Sequence, residues 1–401
     1  MSGPLSGIRV IDLTAMLSGP YATMILADQG AEVIKVEPPD GDHTRKGGNR
    51  RNGFAANFLN LNRNKRSLAI DLKSPLGRDV VLRLAGRADA FVQNFRPGVA
   101  ERLGLGEAEV RAVRPDIVYV SISGFGEVGP WSQRPAYDPV VQALSGLTTV
   151  QAGSDSERPR LVRTVLPDKM TAITAAQAIT AALLHRARSG EGQHVRLSML
   201  DAVVAFLWGS DMGAQTFVDP PHPPQGAASF LDLIYETQDG FMTAAVMSDK
   251  EWRGLCTALE KPEWLEDPRF KTPALRDQNI NERLALIQSV LKTRTRAEWL
   301  ARLQAADVPC APALTRNEVI QHPQVEATKL LVETVHPQVG RLRQTRAAAR
   351  FDKTPTAIRM GAPALGEHTE AILAELGLTA AERAALREAG VLGKLPAAAA
   401  E

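Results

Sequence analysis

IRVIDLTAMLSGPYATMILADQGAEVIKVE, residues 8–37, is the stretch whose reading decides the fold. Its two ends, IRVIDL (Ile8–Leu13) and AEVIKVE (Ala31–Glu37), are short β-rich runs, and the segment between them, about 19–29, is helix-like. A strand–helix–strand order builds a parallel sheet covered by helices. The alternation continues through SLAIDL (Ser67–Leu72), AFVQNF (Ala90–Phe95) and DIVYVSIS (Asp116–Ser123), with helices expected at 75–87 and 97–114. The first unit mimics a dinucleotide-binding βαβ, with an acidic residue ending its second strand. Its turn, TAMLSGP at residues 14–20, has no G-x-G-x-x-G, so a nicotinamide dehydrogenase is not supported.

Further along, DKMTAITAAQAITAALLHRAR (168–188) is a long alanine-rich helix, stopped by the glycines of SGEG. QHVRLSML (Gln193–Leu200) follows as a strand, and Asp201 opens another apolar helix. The proline-rich PPHPPQG (Pro220–Gly226) marks a boundary. Residues 230–330 carry two or three strands and amphipathic helices at Asp249–Leu259, Asn279–Thr293 and Ala297–Ala306, a smaller α+β lobe. The tail pairs β-like runs over Leu330–Thr345 with two short helices over His368–Gly390.

Composition narrows the function. The 401 residues are 44% hydrophobic and 23% charged with a net charge of +2, which excludes a disordered scaffold and a global basic field for nucleic acid. Cys256 and Cys310 have no CxxC or Cys/His spacing, so neither a disulfide framework nor a structural metal is expected, and a reducing, cytoplasmic setting fits. No signal peptide or membrane-spanning run is read in the sequence.

Three places could carry chemistry. The connection Pro38–Arg66, rich in Gly, Asn and Arg, is long enough to be functional. Arg45, Lys46, Arg50, Arg51, Arg63, Lys65, Arg66 and Lys73 gather there with Asp71 the only acid from Thr44 to Arg78, a set that suits a small polyanion such as a phosphorylated nucleotide, or a solvated loop. Arg102, after NFRPG, could project over the same sheet edge. Asp168, in VLPDKMTA at the start of the long helix, is either an N-cap or a carboxylate nucleophile; physics alone leaves both open. SISGFGEVGP (Ser121–Pro130) puts glycines after a strand, as an ordinary turn or a close-approach loop at the carboxyl edge of the sheet. The seven histidines are scattered, with no H-E-x-x-H and no G-x-S-x-G, and His185 at a helix end reads as structural.

Taken together, PLSGIRVIDLT (Pro4–Thr14), GAEVIKVEPPDGDHTR (Gly30–Arg45), NRNKRSLAIDLK (Asn62–Lys73), NFRPG (Asn94–Gly98), SISGFGEVGP, AYDPVVQALSG (Ala136–Gly146), the Asp168 helix, SGEGQHVRLSMLDA (Ser189–Ala202) and LGEHT (Leu365–Thr369) resemble the class III CoA-transferase family, the formyl-CoA and carnitine CoA-transferase type. The resemblance implies a Rossmann-like α/β large domain built from both chain ends (1–215 and 331–401), a small α+β domain (216–330), and an interlocked homodimer. It implies coenzyme A as the substrate carrier, with Met16 and Leu17 near the pantetheine, Ile70 at the adenine, Lys73 and Arg102 at the phosphorylated adenosine end, and Arg45 and Tyr137 as further contacts.

In that family's chemistry Asp168 is the nucleophile. It passes through an aspartyl anhydride and an aspartyl-CoA thioester, with no metal and with Gly124 and Gly126 as candidates for N–H donors to the oxyanions. Two departures matter. The region Gln225–Gly240 lacks the glycine-rich flap of formyl-CoA transferase, and where α-methylacyl-CoA racemases of this fold carry a His-Asp pair the chain has Tyr137-Asp138. The alternatives are therefore a racemase-like enzyme or a catalytically silent CoA-binding homologue. Phe206, Trp208 and Phe230 could line an acceptor pocket, or be core residues. The donor and acceptor acids are not legible, although dicarboxylates fit.

Overall fold

A computed structural model of the protein describes residues 3–220 and 233–393. The chain divides into two compact units, one spanning Met1–Gln225 and Lys329–Glu401, the other Gly226–Thr328. Part of the proline-rich stretch, Phe230, half of the segment aligned with the flap and the alanine-rich tail fall outside the described residues.

The first unit opens with β1 (Arg9–Asp12), α1 (Ser18–Asp28) and β2 (Glu32–Glu37). A hairpin of β3 (Arg50–Arg51) and β4 (Phe54–Ala55) and helix α2 (Ala56–Asn62) follow, then β5 (Lys65–Ala69), α3 (Pro75–Ala85), β6 (Ala90–Gln93), α4 (Val99–Arg102), α5 (Glu107–Val113) and β7 (Val118–Ser123). Helices α6 (Asp138–Leu144), α7 (Leu147–Ala152) and α8 (Leu166–Ser189) lead to β8 (His194–Ser198) and α9 (Met199–Trp208). The six longer strands form one parallel sheet in the order β5-β2-β1-β6-β7-β8. This is the mixed α/β architecture expected from residues 8–123.

Both faces of the sheet are covered, as the apolar strand runs require. On one, Ile11, Ile34, Leu68, Phe91 and Tyr119 pack with α3 and α5; on the other, Val10, Val33, Val92 and Val120 pack with α1 and α8. The small residues Ala22 and Ala27 of α1 and Ala172, Ala175, Ala176 and Ala182 of α8 are all buried there, so the alanine-rich stretch serves close packing of α8 on α1.

Three expectations are corrected. The segment 97–114 is two short helices, because Gly104 takes a left-handed conformation (φ 67°) that ends α4. The connection 38–66 is not a bare loop but holds a hairpin and α2. Strand β5 runs Lys65–Ala69 rather than Ser67–Leu72: the Ile70 N–H still reaches the Glu37 carbonyl of β2 at 2.8 Å, and from there the chain bridges to Leu392 instead.

In the second unit β9 (Ile234–Glu236), β10 (Phe241–Ala244), α10 (Asp249–Ala258), α11 (Pro273–Gln278), α12 (Ile280–Leu291), α13 (Arg296–Ala305), β11 (Cys310–Pro312), α14 (Arg316–Val319) and α15 (Pro323–Ala327) build an antiparallel sheet, β11-β10-β9, backed by helices. Ser248 with Glu251 and Thr295 with Glu298 form capping boxes that start α10 and α13. Trp252, Phe270 and Trp299 fill the core, and the Trp299 indole N–H is satisfied by the Leu291 carbonyl at 2.8 Å.

The chain returns to the first unit with the hairpin β12 (Leu331–His336) and β13 (Gly340–Thr345) and helices α16 (Thr369–Glu375) and α17 (Ala380–Glu388). LGEHT closes the open edge of β5. The Gly366 N–H donates to Ser67 Oγ at 2.9 Å, His368 N–H to the Ser67 carbonyl at 3.0 Å, and the Ala69 N–H to Thr369 Oγ1 at 3.3 Å.

Candidate active site

Ligands of open α/β sheets bind beyond the carboxyl ends of the strands, where the strand order reverses. Here that point lies between β1 and β6, and the turn 14–20 leaves β1 at it. The turn is heavily anchored. Asp12 takes the Thr14 N–H at 3.0 Å, and Asn94, just past β6, clasps Ala15 from both sides, accepting its N–H at 2.9 Å and donating to its carbonyl at 2.8 Å. Gly19 admits no side chain, since a Cβ there would fall 2.3 Å from that of Thr14. Met16, 42% exposed, sits in the left-handed region at φ 68°, a strain that the surrounding bonds hold.

Asp168 faces this turn. It occupies the third position of α8, whose cap residue is Val165, so its carboxylate does not cap the helix and the N-cap reading is overturned. Burial raises its pKa from 3.8 to about 6; the Asp138 carboxylate adds to the rise, and the Ser18 backbone N–H at the start of α1 opposes it. Asp138 opens α6 and is itself buried. It accepts the Asp168 N–H at 3.3 Å and the Gln142 side-chain amide at 2.6 Å. Gln142 also takes the Val162 N–H at 2.9 Å, so the segment leading into Asp168 is held by the same residue.

Asp168 is thus a half-buried carboxylate between two helix N-termini, with a proton affinity close to neutrality. Such a group can attack an activated acyl carbon and then leave again.

Of the expected site residues, Met16 and Leu17 come beside Asp168 through Ser18, and Tyr137, 66% exposed, precedes Asp138. Gly124 belongs to the same corner, for a Cβ on it would lie 2.1 Å from that of Ala136. Lys73 and Arg102 are exposed at the carboxyl edge, with no side-chain hydrogen bond or ion pair among the described residues.

Three candidates are reassigned. Ile70 is 0% exposed in the core and offers no surface to an adenine. Arg45 is spent internally: it grips Glu37 with two bonds of 2.7 Å, donates to the Pro363 carbonyl at 3.0 Å and covers the Phe58 ring. The Gly126 N–H is taken by Ser123 Oγ at 3.0 Å, so it is not a free oxyanion donor. Phe206 and Trp208 are each 49% exposed and so are not core residues.

The basic cluster also resolves differently from its local sequence. Arg63 pairs with Asp28, Arg66 with Glu32 and Glu375, and Lys65 with Asp12, acids that are distant in sequence and close in space. Sequence reading missed Asp138, Gln142 and Asn94 as site residues; the visible signal was a Tyr-Asp-Pro helix start, noticed only for the histidine it lacks. No group of three or more His, Cys, Asp or Glu side chains that could hold a metal occurs among the described residues. Nor is any described helix long and apolar enough to cross a membrane.

Comparison with known proteins meets this geometry. Succinyl-CoA:glutarate CoA-transferase of Mus musculus is 34% identical over 381 residues, 93% of this chain and 86% of the relative. Formyl-CoA:oxalate CoA-transferase of Escherichia coli is 33% identical over 417 residues, 97% of this chain and 99% of the relative. The crystal structure of a CAIB/BAIF family protein from Brucella suis superposes with a TM-score of 0.82 at 32% identity, covering 94% of this chain and 100% of that one. The model of CoA-transferase family III matches residues 5–369, and the chain belongs to that family.

Proposed function

We propose that this enzyme moves CoA from an acyl-CoA to a free carboxylic acid through covalent intermediates on Asp168. The observation that carries the reading is the half-buried Asp168 carboxyl in the first turn of α8, tied to Asp138 and free of any helix-capping bond, where burial pushes its pKa up to about 6. Above that pH it is ionised, and its raised proton affinity makes it a better nucleophile than an ordinary aspartate.

A carboxylate oxygen of Asp168 attacks the thioester carbonyl; the C–S bond breaks, giving a mixed anhydride and CoA thiolate. The thiolate attacks the aspartyl carbonyl, the donor acid leaves as carboxylate, and aspartyl-CoA thioester remains. The acceptor carboxylate attacks that thioester to form a new anhydride, and the thiolate closes the cycle on the acceptor's acyl carbon. No proton is consumed. Amides at the start of α1, led by Ser18, suit the oxyanion that develops at the Asp168 carbonyl. Lys73 and Arg102 suit the phosphates of the adenosine end.

The relatives' printed substrates, succinyl-CoA with glutarate and formyl-CoA with oxalate, favour small acids here too, and dicarboxylates in particular. Arg160 and Arg163, exposed and without an ion pair among the described residues, precede α8 and would meet a second carboxylate. A homodimer is part of the proposal, supported by the exposed apolar side chains Val140, Leu144, Ile173, Phe206 and Trp208 on α6, α8 and α9.

The test is peptide mass spectrometry after exposure to succinyl-CoA, glutaryl-CoA and oxalyl-CoA, with hydroxylamine trapping. A hydroxamate on the Asp168 peptide that is absent from Asp168→Asn supports the mechanism. Turnover without it, or hydrogen exchange at the α-carbon of 2-methylacyl-CoAs in its place, refutes it.

A further inference from the structure

Beneath the turn 14–20 lies a buried cluster of charges that the proposed reaction does not use. Lys65, 0% exposed in β5, directs Nζ to Asp12 Oδ2 at 3.0 Å, to Asn62 Oδ1 at 2.8 Å and to the Pro20 carbonyl at 2.8 Å. Lys35, also 0% exposed, directs Nζ to Asp42 Oδ2 at 3.0 Å and to the Thr14 carbonyl at 2.9 Å. Each ammonium thus makes one ion pair and one bond to a backbone carbonyl of the turn. Asp42 Oδ1 accepts the Met16 N–H at 3.4 Å, and Asp12 accepts the hydroxyls of Thr14 at 2.5 Å and Thr23 at 2.7 Å.

Burying a lysine is costly even when it is paired, and buried ion pairs are often no more stabilising than an apolar core. A fixed backbone is what the arrangement yields. Both lysines end on carbonyls that flank Met16–Gly19, and with Asn94 they pin the turn at Thr14, Ala15 and Pro20. Ser18, whose N–H faces Asp168, lies inside that span.

We propose that Lys65 and Lys35, each paired with an aspartate and bonded to a carbonyl of the turn, are positioning residues that fix the start of α1, with its Ser18 amide, at Asp168, with Asn94 as the third anchor. This rests on the nucleophile reading above. The lysines act through the backbone, and the charges facing Asp168 itself are those of Asp138. Lys65 and Asp12 face each other as charges: Asp12, pushed up by burial but outweighed by the two ammoniums, sits at about 2, and Lys65, pushed down by burial against the pull of Asp12, at about 8, so both are charged at neutral pH.

The experiment compares wild type with Lys65→Met/Asp12→Asn, which leaves no unpaired buried charge from that pair, and with Asn94→Ala, which keeps the lysines and frees Ala15. Backbone hydrogen exchange over residues 14–20 is read by mass spectrometry, together with the rate and pH midpoint of Asp168 acylation by succinyl-CoA. Expected are at least tenfold faster exchange confined to that segment, at least tenfold slower acylation, and a midpoint moved upward as the start of α1, which opposes the rise in the Asp168 pKa, loses its fixed place, while CoA affinity changes less than threefold. Unchanged exchange and acylation in Asn94→Ala, the variant least prone to misfold, overturn the proposal. So does faster exchange with an unchanged acylation rate and midpoint. If wild type forms no Asp168 adduct with any acyl-CoA tried, the nucleophile reading fails, and this catalytic role fails with it; the exchange data alone then report a structural brace.

Discussion

The backbone N–H of Asp168 donates to Oδ2 of Asp138 at 3.3 Å, so the first turn of α8 is tied to a second carboxylate that also raises the pKa of Asp168. The same carboxylate thus helps to place Asp168 and adds to the rise in its proton affinity that burial begins.

Replacement of Asp168 by Asn should lower CoA transfer by at least about a thousandfold, because no other described carboxylate shares its position between the two helix starts. CoA binding by calorimetry should stay within a few fold. Full activity in Asp168→Asn would contradict the role.

The pH profile follows from the same group. Transfer needs the carboxylate, so its rate should rise with pH through about 6 and level off above 7. Folding stability moves the other way. With a pKa of 3.8 unfolded and about 6 folded, the native state holds the proton more tightly, so stability from Asp168 is greatest below about pH 4 and is lost as pH rises through 6. Asp168→Asn should therefore stabilise the protein at pH 7 by on the order of 1–2 kcal/mol, a figure reduced for partial solvent access and readable in urea melts.

Asp138→Asn separates the two contributions. Without the neighbouring charge the rate midpoint should move below 6, while burial keeps it above an ordinary aspartate. A midpoint that stays at 6 would remove Asp138 from the electrostatics of the site.

Much of the fold was legible, and the reason is local. Residues 8–37 carry their strand, turn and helix signals within one βαβ unit, and the alanines of α8 announce close packing. The charges were not legible in the same way. Lys65 and Arg63 stand in an acid-poor stretch, and only the folded chain brings Asp12 of β1 and Asp28 of α1 to them across 53 and 35 residues. Asp138 escaped notice because its significance is its distance from Asp168, 30 residues later.

Arg45 and the pair Lys73 and Arg102 should behave oppositely. Lys73→Ala and Arg102→Ala should each weaken CoA binding about tenfold and dephospho-CoA binding less, with a melting point near wild type, since both side chains are exposed. Arg45→Ala breaks a buried bidentate pair with Glu37 and should cost about 3–5 kcal/mol of stability, with no preference between CoA and dephospho-CoA.

Arg163 offers the test of substrate class. Gln142 binds the chain on both sides of it, taking the Val162 N–H at 2.9 Å and donating to the carbonyls of Val162 and Thr164 at 3.3 Å, so the backbone at Arg163 is fixed while its side chain is exposed. Asp168 follows five residues later, a separation of about 12 Å at most if two extended steps are added to the first helical turn. A guanidinium reaches about half of that, which leaves room for a short diacid with one carboxylate on Arg163 and the other at the aspartyl carbonyl. A bidentate arginine–carboxylate contact at a partly open site contributes roughly 1.5–3 kcal/mol, or about tenfold to a hundredfold in binding. Arg163→Gln should therefore raise KM for succinate or glutarate about tenfold or more and leave KM for acetate or butyrate unchanged. Equal loss for mono- and dicarboxylic acceptors would place the second carboxylate elsewhere.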